Sequence, residues 1–227
     1  ARIAAAPALP PSGDDQQFLD SRFAASTARL SGRPDWQRLA IAHALVNPLT
    51  IISGGPGTGK TTIVTTLIAA LAMREPPPRI ALTAPTGKAA ARMEAALGGM
   101  METIDPVLAS RLPKRATTIH TLLGARPESG EFRHHRDNPL SCDVLIVDEA
   151  SMLDLSLAAR LFDALPTDCR IVMLGDRDQL SAVEAGAVFA ELAGEAPVDD
   201  SPESPPEREG DSALSAPFAP GARLSGL

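Results

Sequence analysis

The chain has 227 residues, a formal net charge of −7, two cysteines and 44% hydrophobic residues, enough for one sizeable core with appendages. No apolar run reaches the roughly 18 residues of a membrane span, and no charged n-region with an apolar h-region opens the chain, so neither a span nor a signal peptide is expected. Cys142 and Cys169 have no metal-ligand spacing and are expected as reduced thiols packed as small hydrophobes in a cytoplasmic protein.

The acidity is uneven. Residues 195–227 carry seven acids and two arginines, net −5, which leaves −2 for residues 1–194. The charge balance therefore does not argue against a nucleic-acid partner for the core.

In chain order, residues 1–32 read as a linker with a short helix over Gln16–Leu30, opening on Ala as a piece of a longer protein would. A domain over 33–194 follows, alternating helix and strand in the manner of a doubly wound, mostly parallel α/β sheet. Its elements are a helix over Trp36–Val46, a strand over Leu49–Ser53 and a helix over Thr62–Leu71. Next come a strand over Arg79–Thr83, a helix over Gly87–Leu97 and a short helix over Thr118–Leu123 closed by Gly124. The insert Ala125–Ser141, with Arg126, Arg133, His134, His135 and Arg136, reads as a solvated hairpin. A strand over Asp143–Val147, a helix over Leu155–Leu165, a strand over Arg170–Leu174 and a helix over Gly186–Leu192 complete the core. Residues 195–227 are rich in Pro, Ser and Glu and are expected to be largely irregular.

The most specific segment is Gly54-Gly55-Pro56-Gly57-Thr58-Gly59-Lys60-Thr61, set between a strand and a helix. That context makes the pattern a phosphate-binding loop, in which backbone N–H groups and a helix N-terminus converge on the phosphates. Gly55, Pro56, Gly57, Thr58, Gly59, Lys60, Thr61 and Thr62 are the expected ATP contacts. Lys60 would reach the β- and γ-phosphates, and the Thr61 hydroxyl would ligate Mg²⁺.

The apolar run Asp143–Val147 ends in Asp148-Glu149. Ligands of open α/β sheets bind at the carboxyl ends of strands, so both carboxylates are expected to face the phosphates. Asp148 would hold Mg²⁺ through water, and Glu149 would orient and deprotonate the attacking water. Three further segments also follow strands or open helices. Thr86-Gly87-Lys88 reads either as a grip on a nucleic-acid phosphate or as a helix cap. Thr118 and His120 carry the same two readings. Gln179 is either a γ-phosphate sensor or part of an ordinary polar loop.

Taken in order, Gly-Gly-Pro-Gly-Thr-Gly-Lys-Thr-Thr, Ala-Pro-Thr-Gly-Lys-Ala-Ala, Thr-Thr-Ile-His, Val-Asp-Glu-Ala-Ser-Met and Gly-Asp-Arg-Asp-Gln-Leu-Ser-Ala-Val-Glu-Ala-Gly resemble the first RecA-like motor domain of superfamily 1 DNA helicases. Within that superfamily the RecD family, the α subunits of exodeoxyribonuclease V, is the most similar. The resemblance covers about residues 35–192. It implies a RecA-like P-loop fold and ATP-driven 5′→3′ movement on single-stranded DNA in double-strand break repair, beside RecB-like and RecC-like subunits. It also implies Gln37 at the adenine edge, Thr86, Gly87, Lys88, Thr118 and His120 on the DNA, and Gln179 as the γ-phosphate sensor. Nothing after Leu192 resembles the second motor domain, so the chain reads as half an engine, with residues 1–32 a linker or the remnant of an N-terminal domain. A non-motor P-loop protein, such as a small-molecule kinase, is the alternative.

Overall fold

The computed structural model describes residues 13–30, 33–126, 130–177, 179 and 186–193. Five parallel strands run β1 (Leu49–Ser53), β2 (Ile80–Ala84), β3 (Thr117–Thr118), β4 (Val144–Val147) and β5 (Arg170–Gly175), in spatial order β1-β5-β4-β2-β3. The central strands are buried along their whole length, which is why they read as unbroken apolar runs rather than alternating ones. The period of two survives in where the side chains go. Val144, Ile146, Val172 and Leu174 enter one core, while Leu145, Val147, Ile171 and Met173 enter the other.

The first core is roofed by α2 (Trp36–Val46), α3 (Lys60–Ala72) and α4 (Gly87–Met101), through residues such as Ile41, Leu67 and Leu97. The second lies under α6 (Ile119–Leu123), α7 (Leu155–Asp163) and α8 (Gly186–Ala193), through Ile119, Leu161 and Phe189. The expected α/β doubly wound domain is therefore the observed one.

The short helix expected over Gln16–Leu30 is present as the 17-residue helix α1 (Gly13–Arg29), packed on the domain rather than standing in a free linker. Leu19 and Phe23, one turn apart, are buried in the first core. Buried Asp15 accepts from Arg74 Nη2 at 2.8 Å, and the same nitrogen donates to Leu45 O at 3.1 Å. So few buried side chains make a narrow apolar stripe, and its anchor is an ion pair distant in sequence. The helix itself was legible in the sequence, but its docking through that pair was not.

Smaller differences have local causes. Helix α3 begins at Lys60, and α4 continues to Met101 through Gly98-Gly99. The one-turn helix α5 (Pro106–Ser110) is set by Asp105, whose carboxylate accepts from Val107 N at 2.8 Å, with Pro106 in the first turn. The 125–141 insert is a hairpin with antiparallel bridges Ala125↔Phe132 and His135↔Asn138, as its composition suggests. Cys142 and Cys169 are both buried, with Sγ atoms 3.7 Å apart. The contact with Cys142, then burial, push the Cys169 thiol up, so it stays protonated. The tail expected to be irregular, 195–227, lies outside the described residues, as do residues 1–12.

Candidate functional site

The loop after β1 is shaped by two glycines with left-handed backbone, Gly57 at φ 78° and Gly59 at φ 85°. Gly59 is the N-cap of α3 and brings no side-chain oxygen, so the first N–H groups of that helix are left for an incoming phosphate. Pro56, Gly57, Thr61 and Thr62 are exposed, and Gly55, Thr58, Gly59 and Lys60 are half-buried. The Lys60 ammonium donates to the carbonyls of Gly54 and, at 3.2 Å, Gly55. Gly54 N donates to Gly175 O at 3.0 Å, which ties the loop to the end of β5.

Gln37 lies across this loop. Its Nε2 donates to Thr58 O at 3.0 Å, and a Cβ built on Gly59 would stand 2.2 Å from the same nitrogen. Glycine is required at 59 by its φ, while the nearby Gln37 amide is the far end of a flexible side chain that could move aside.

Asp148 and Glu149 leave β4 in the middle of the sheet. Asp148 N donates to Thr83 O at 2.9 Å, and Asp148 Oδ1 accepts from Glu149 N at 2.9 Å. Burial pushes the Asp148 carboxyl above the usual carboxylate range, with the neighbouring Glu149 charge adding to it. Thr61 and Asp148 line one small cleft between α3 and α4. A hydroxyl and a single carboxylate form an all-oxygen pair, which suits Mg²⁺ held largely by phosphate oxygens and water. The described residues hold no group of three or more His, Cys, Asp or Glu that would suit a protein-only metal cage.

Glu149 is the only non-glycine with positive φ among the described residues, at 51°. This left-handed turn starts a 3₁₀ turn over Ala150–Met152 and keeps the side chain at the mouth of the sheet. Buried Ser151 completes the corner, its Oγ accepting from Asp176 N at 3.4 Å. Arg92, on α4, pairs with Glu149 at 3.6 Å. Neither Ser151 nor Arg92 was singled out in the sequence. The available signal for Arg92 was its place four residues after Lys88, on the same helix face.

The remaining expected residues are spread along the same carboxyl edge. Thr86 caps α4, its Oγ1 accepting from Ala89 N at 3.2 Å, and Thr118 caps α6 in the same way toward Thr121 N at 3.2 Å. In both cases the capping reading is realised, and it leaves Thr86 its O–H for a phosphate; Thr118 Oγ1 also lies 2.8 Å from Thr121 Oγ1. Gly87, Lys88 and His120 are exposed, and the His120 ring lies 5.9 Å from Phe132 of the hairpin. Gln179 is exposed just after β5, its N–H reaching Asp176 O at 3.4 Å. From the sheet order, the edge runs from the phosphate loop past Gln179 and Asp148-Glu149 to Thr86–Lys88 and finally Thr118–His120.

A phosphate loop two strands away from an acidic strand end, on one parallel sheet, defines a P-loop nucleotide-hydrolysing domain. Residues 37–185 match the AAA domain family. The RecBCD enzyme subunit RecD of Mycolicibacterium smegmatis is 47% identical over 197 residues, which cover 79% of this chain and 36% of that protein. RecD of Haemophilus influenzae is 47% identical over 168 residues, 71% of this chain and 26% of its own length. The ATP-dependent RecD2 DNA helicase of Deinococcus radiodurans is 38% identical over 152 residues, 66% of this chain and 18% of its own length. The chain belongs to the AAA domain family, and over most of its length it is similar to part of these RecD subunits. It spans about a third of the length of the first of these relatives.

Proposed function

We propose that this domain is the ATP-binding first motor of a 5′→3′ DNA helicase subunit that acts in double-strand break repair and recombination. One observation carries the reading: the phosphate loop, Asp148-Glu149, Thr86–Lys88 and Thr118–His120 all end or follow strands of one parallel sheet on the same edge. Asp148-Glu149 ends β4, with β5 on one side and β2 on the other. Chemistry at the phosphates and contact with a strand at Thr86–Lys88 are thus separated by one strand position.

In this reading ATP sits on Gly55–Thr62 with Lys60 on its β- and γ-phosphates, and Gln37 turns from Thr58 to the adenine edge. Thr61 and Asp148 hold Mg²⁺, which neutralises phosphate charge when bound. Glu149 takes the proton of the attacking water, and Gln179 senses the γ-phosphate. Single-stranded DNA runs over Thr86, Gly87, Lys88, Thr118 and His120, and RecB-like and RecC-like subunits are the partners. The reading as a DNA repair motor, and not any feature of the fold, is what assigns the domain to the bacterial cytoplasm; no described helix is long and apolar enough to cross a membrane.

The test is ATP hydrolysis by the full-length enzyme that carries this domain, with and without single-stranded oligo-dT. A several-fold rise in kcat on adding DNA is expected. A rate indifferent to DNA would overturn the reading, because only a motor has reason to respond.

A further inference from the structure

Helix α4 touches both halves of the edge. Its first turn holds Thr86, Gly87 and Lys88, and one turn later Arg92 pairs with Glu149 at 3.6 Å. Residues four apart lie on one helix face, so Lys88 and Arg92 point to the same side of α4. The two partners differ sharply in environment. The Glu149 side chain is 17% exposed, on a residue with left-handed backbone, whereas Arg92 is 68% exposed. The guanidinium is the solvent-exposed member of the pair.

We propose that Arg92 is a positioning residue that couples strand binding to hydrolysis. Paired with Arg92, the Glu149 carboxylate is held toward α4 and away from the attacking water. A nucleic-acid phosphate arriving at Thr86–Lys88 is a competing anion on the same helix face. It draws the guanidinium to itself and releases Glu149 to accept the water's proton. A ligand can shift such an equilibrium only by contacting the two states differently, and an Arg–phosphate pair made in only one of them is such a contact. The pair is suited to breaking, because an ion pair with one well-solvated partner is weak. This inference rests on the strand-binding reading of Thr86–Lys88.

The experiment is steady-state ATP hydrolysis by the full-length enzyme, comparing wild type, Arg92→Ala and Arg92→Lys with and without oligo-dT. An exposed pair shifts an equilibrium by up to about fivefold. Arg92→Ala is therefore expected to raise the DNA-free kcat by about two- to fivefold, with KM for ATP little changed and the DNA-saturated kcat close to wild type. Arg92→Lys keeps a cation there and should restore the low DNA-free rate. An unchanged DNA-free kcat in Arg92→Ala overturns the proposal. Equal loss of both rates also overturns it, because that is what a merely structural or directly catalytic arginine would give. A wild-type enzyme that ignores DNA is a different failure, that of the functional reading. It is distinguished by the wild-type arm alone.

Discussion

Gln37 Nε2 donates to the Thr58 carbonyl at 3.0 Å, so a side chain from the start of α2 braces the phosphate loop. If the amide turns to the adenine edge when ATP binds, one intramolecular hydrogen bond is exchanged for base-specific ones. Gln37→Ala should then weaken ATP more than GTP, bringing the ratio of their affinities toward one. The scale is that of a hydrogen bond, about 0.5–1.5 kcal/mol. Titration of both nucleotides checks this. Equal weakening of the two would make Gln37 a brace for the loop and nothing more.

Lys60 now spends its charge on the carbonyls of Gly54 and Gly55. Phosphate oxygens are far stronger acceptors for an ammonium, so ATP should pull it out of this arrangement. Lys60→Ala should cost about 1.5–3 kcal/mol of ATP affinity, tenfold or more, because hydrogen bonds to charged groups are of that size. The Tm of the free protein should barely move, as only loop carbonyls lose a donor. Calorimetry and thermal melting check the two halves separately.

Glu149→Gln keeps the side-chain shape, and it leaves Asp148 untouched. Nucleotide affinity should persist while kcat in the full-length enzyme falls by about 10²–10⁴-fold, the usual contribution of a general base. A variant that keeps most of its kcat would show that another group takes the proton.

How far the sequence carried differed by the kind of interaction involved. The central strands were legible because burial on both faces leaves an unmistakable aliphatic run, as in Val144–Val147. The phosphate loop was legible because its geometry needs glycine at 57 and 59, where φ is positive. Helix α1 was legible as a helix over Gln16–Leu30, but its docking on the domain was not, since Leu19, Phe23 and an Asp15–Arg74 pair are its main ties. The Arg92–Glu149 pair joins residues 57 positions apart on different elements, and no local pattern marks it. Thr86 and Thr118 remained double in meaning for a physical reason. A threonine that caps a helix is also the residue that offers a phosphate a hydroxyl and free N–H groups.

Asp148 should make stability depend on pH in an uncommon direction. Burial raises its folded-state pKa above the ordinary carboxylate value, so the folded chain holds the proton more tightly than the unfolded one. Its contribution to stability is therefore most favourable below the ordinary carboxylate pKa. It is lost as pH rises from there through the raised folded-state value, and it stays lower above. Asp148→Asn removes this titration while keeping Oδ1 to accept from Glu149 N. In metal-free buffer the variant should melt higher than wild type near neutral pH, with the gap closing in acid. Mg²⁺-dependent nucleotide binding should weaken. A gap independent of pH would remove burial of the charge as its cause.

Gly175, the last residue of β5, is constrained by space rather than by φ. A Cβ there would stand 2.8 Å from the Phe189 ring and 2.9 Å from the backbone N of Ser151. The ring could give way, but the Ser151 backbone belongs to the turn that positions Glu149. Gly175→Ala should therefore behave as an overpacked core, costing about 1–3 kcal/mol. For a chain of this size that is a fall in Tm of roughly 2–4 °C per kcal/mol. Displacement of the Ser151 turn should also lower kcat in the full-length enzyme more than it raises KM, because the added Cβ meets the Ser151 turn while the residue 175 carbonyl can still accept from Gly54 N. Gly59→Ala offers the contrast. Its clash is with the far end of Gln37, which can swing away, but the φ of 85° stays strained. That variant should lose nucleotide affinity first. Melting curves and a kcat–KM split on both variants check the pair, and identical kinetic profiles would mean that the Ser151 turn does not position the base.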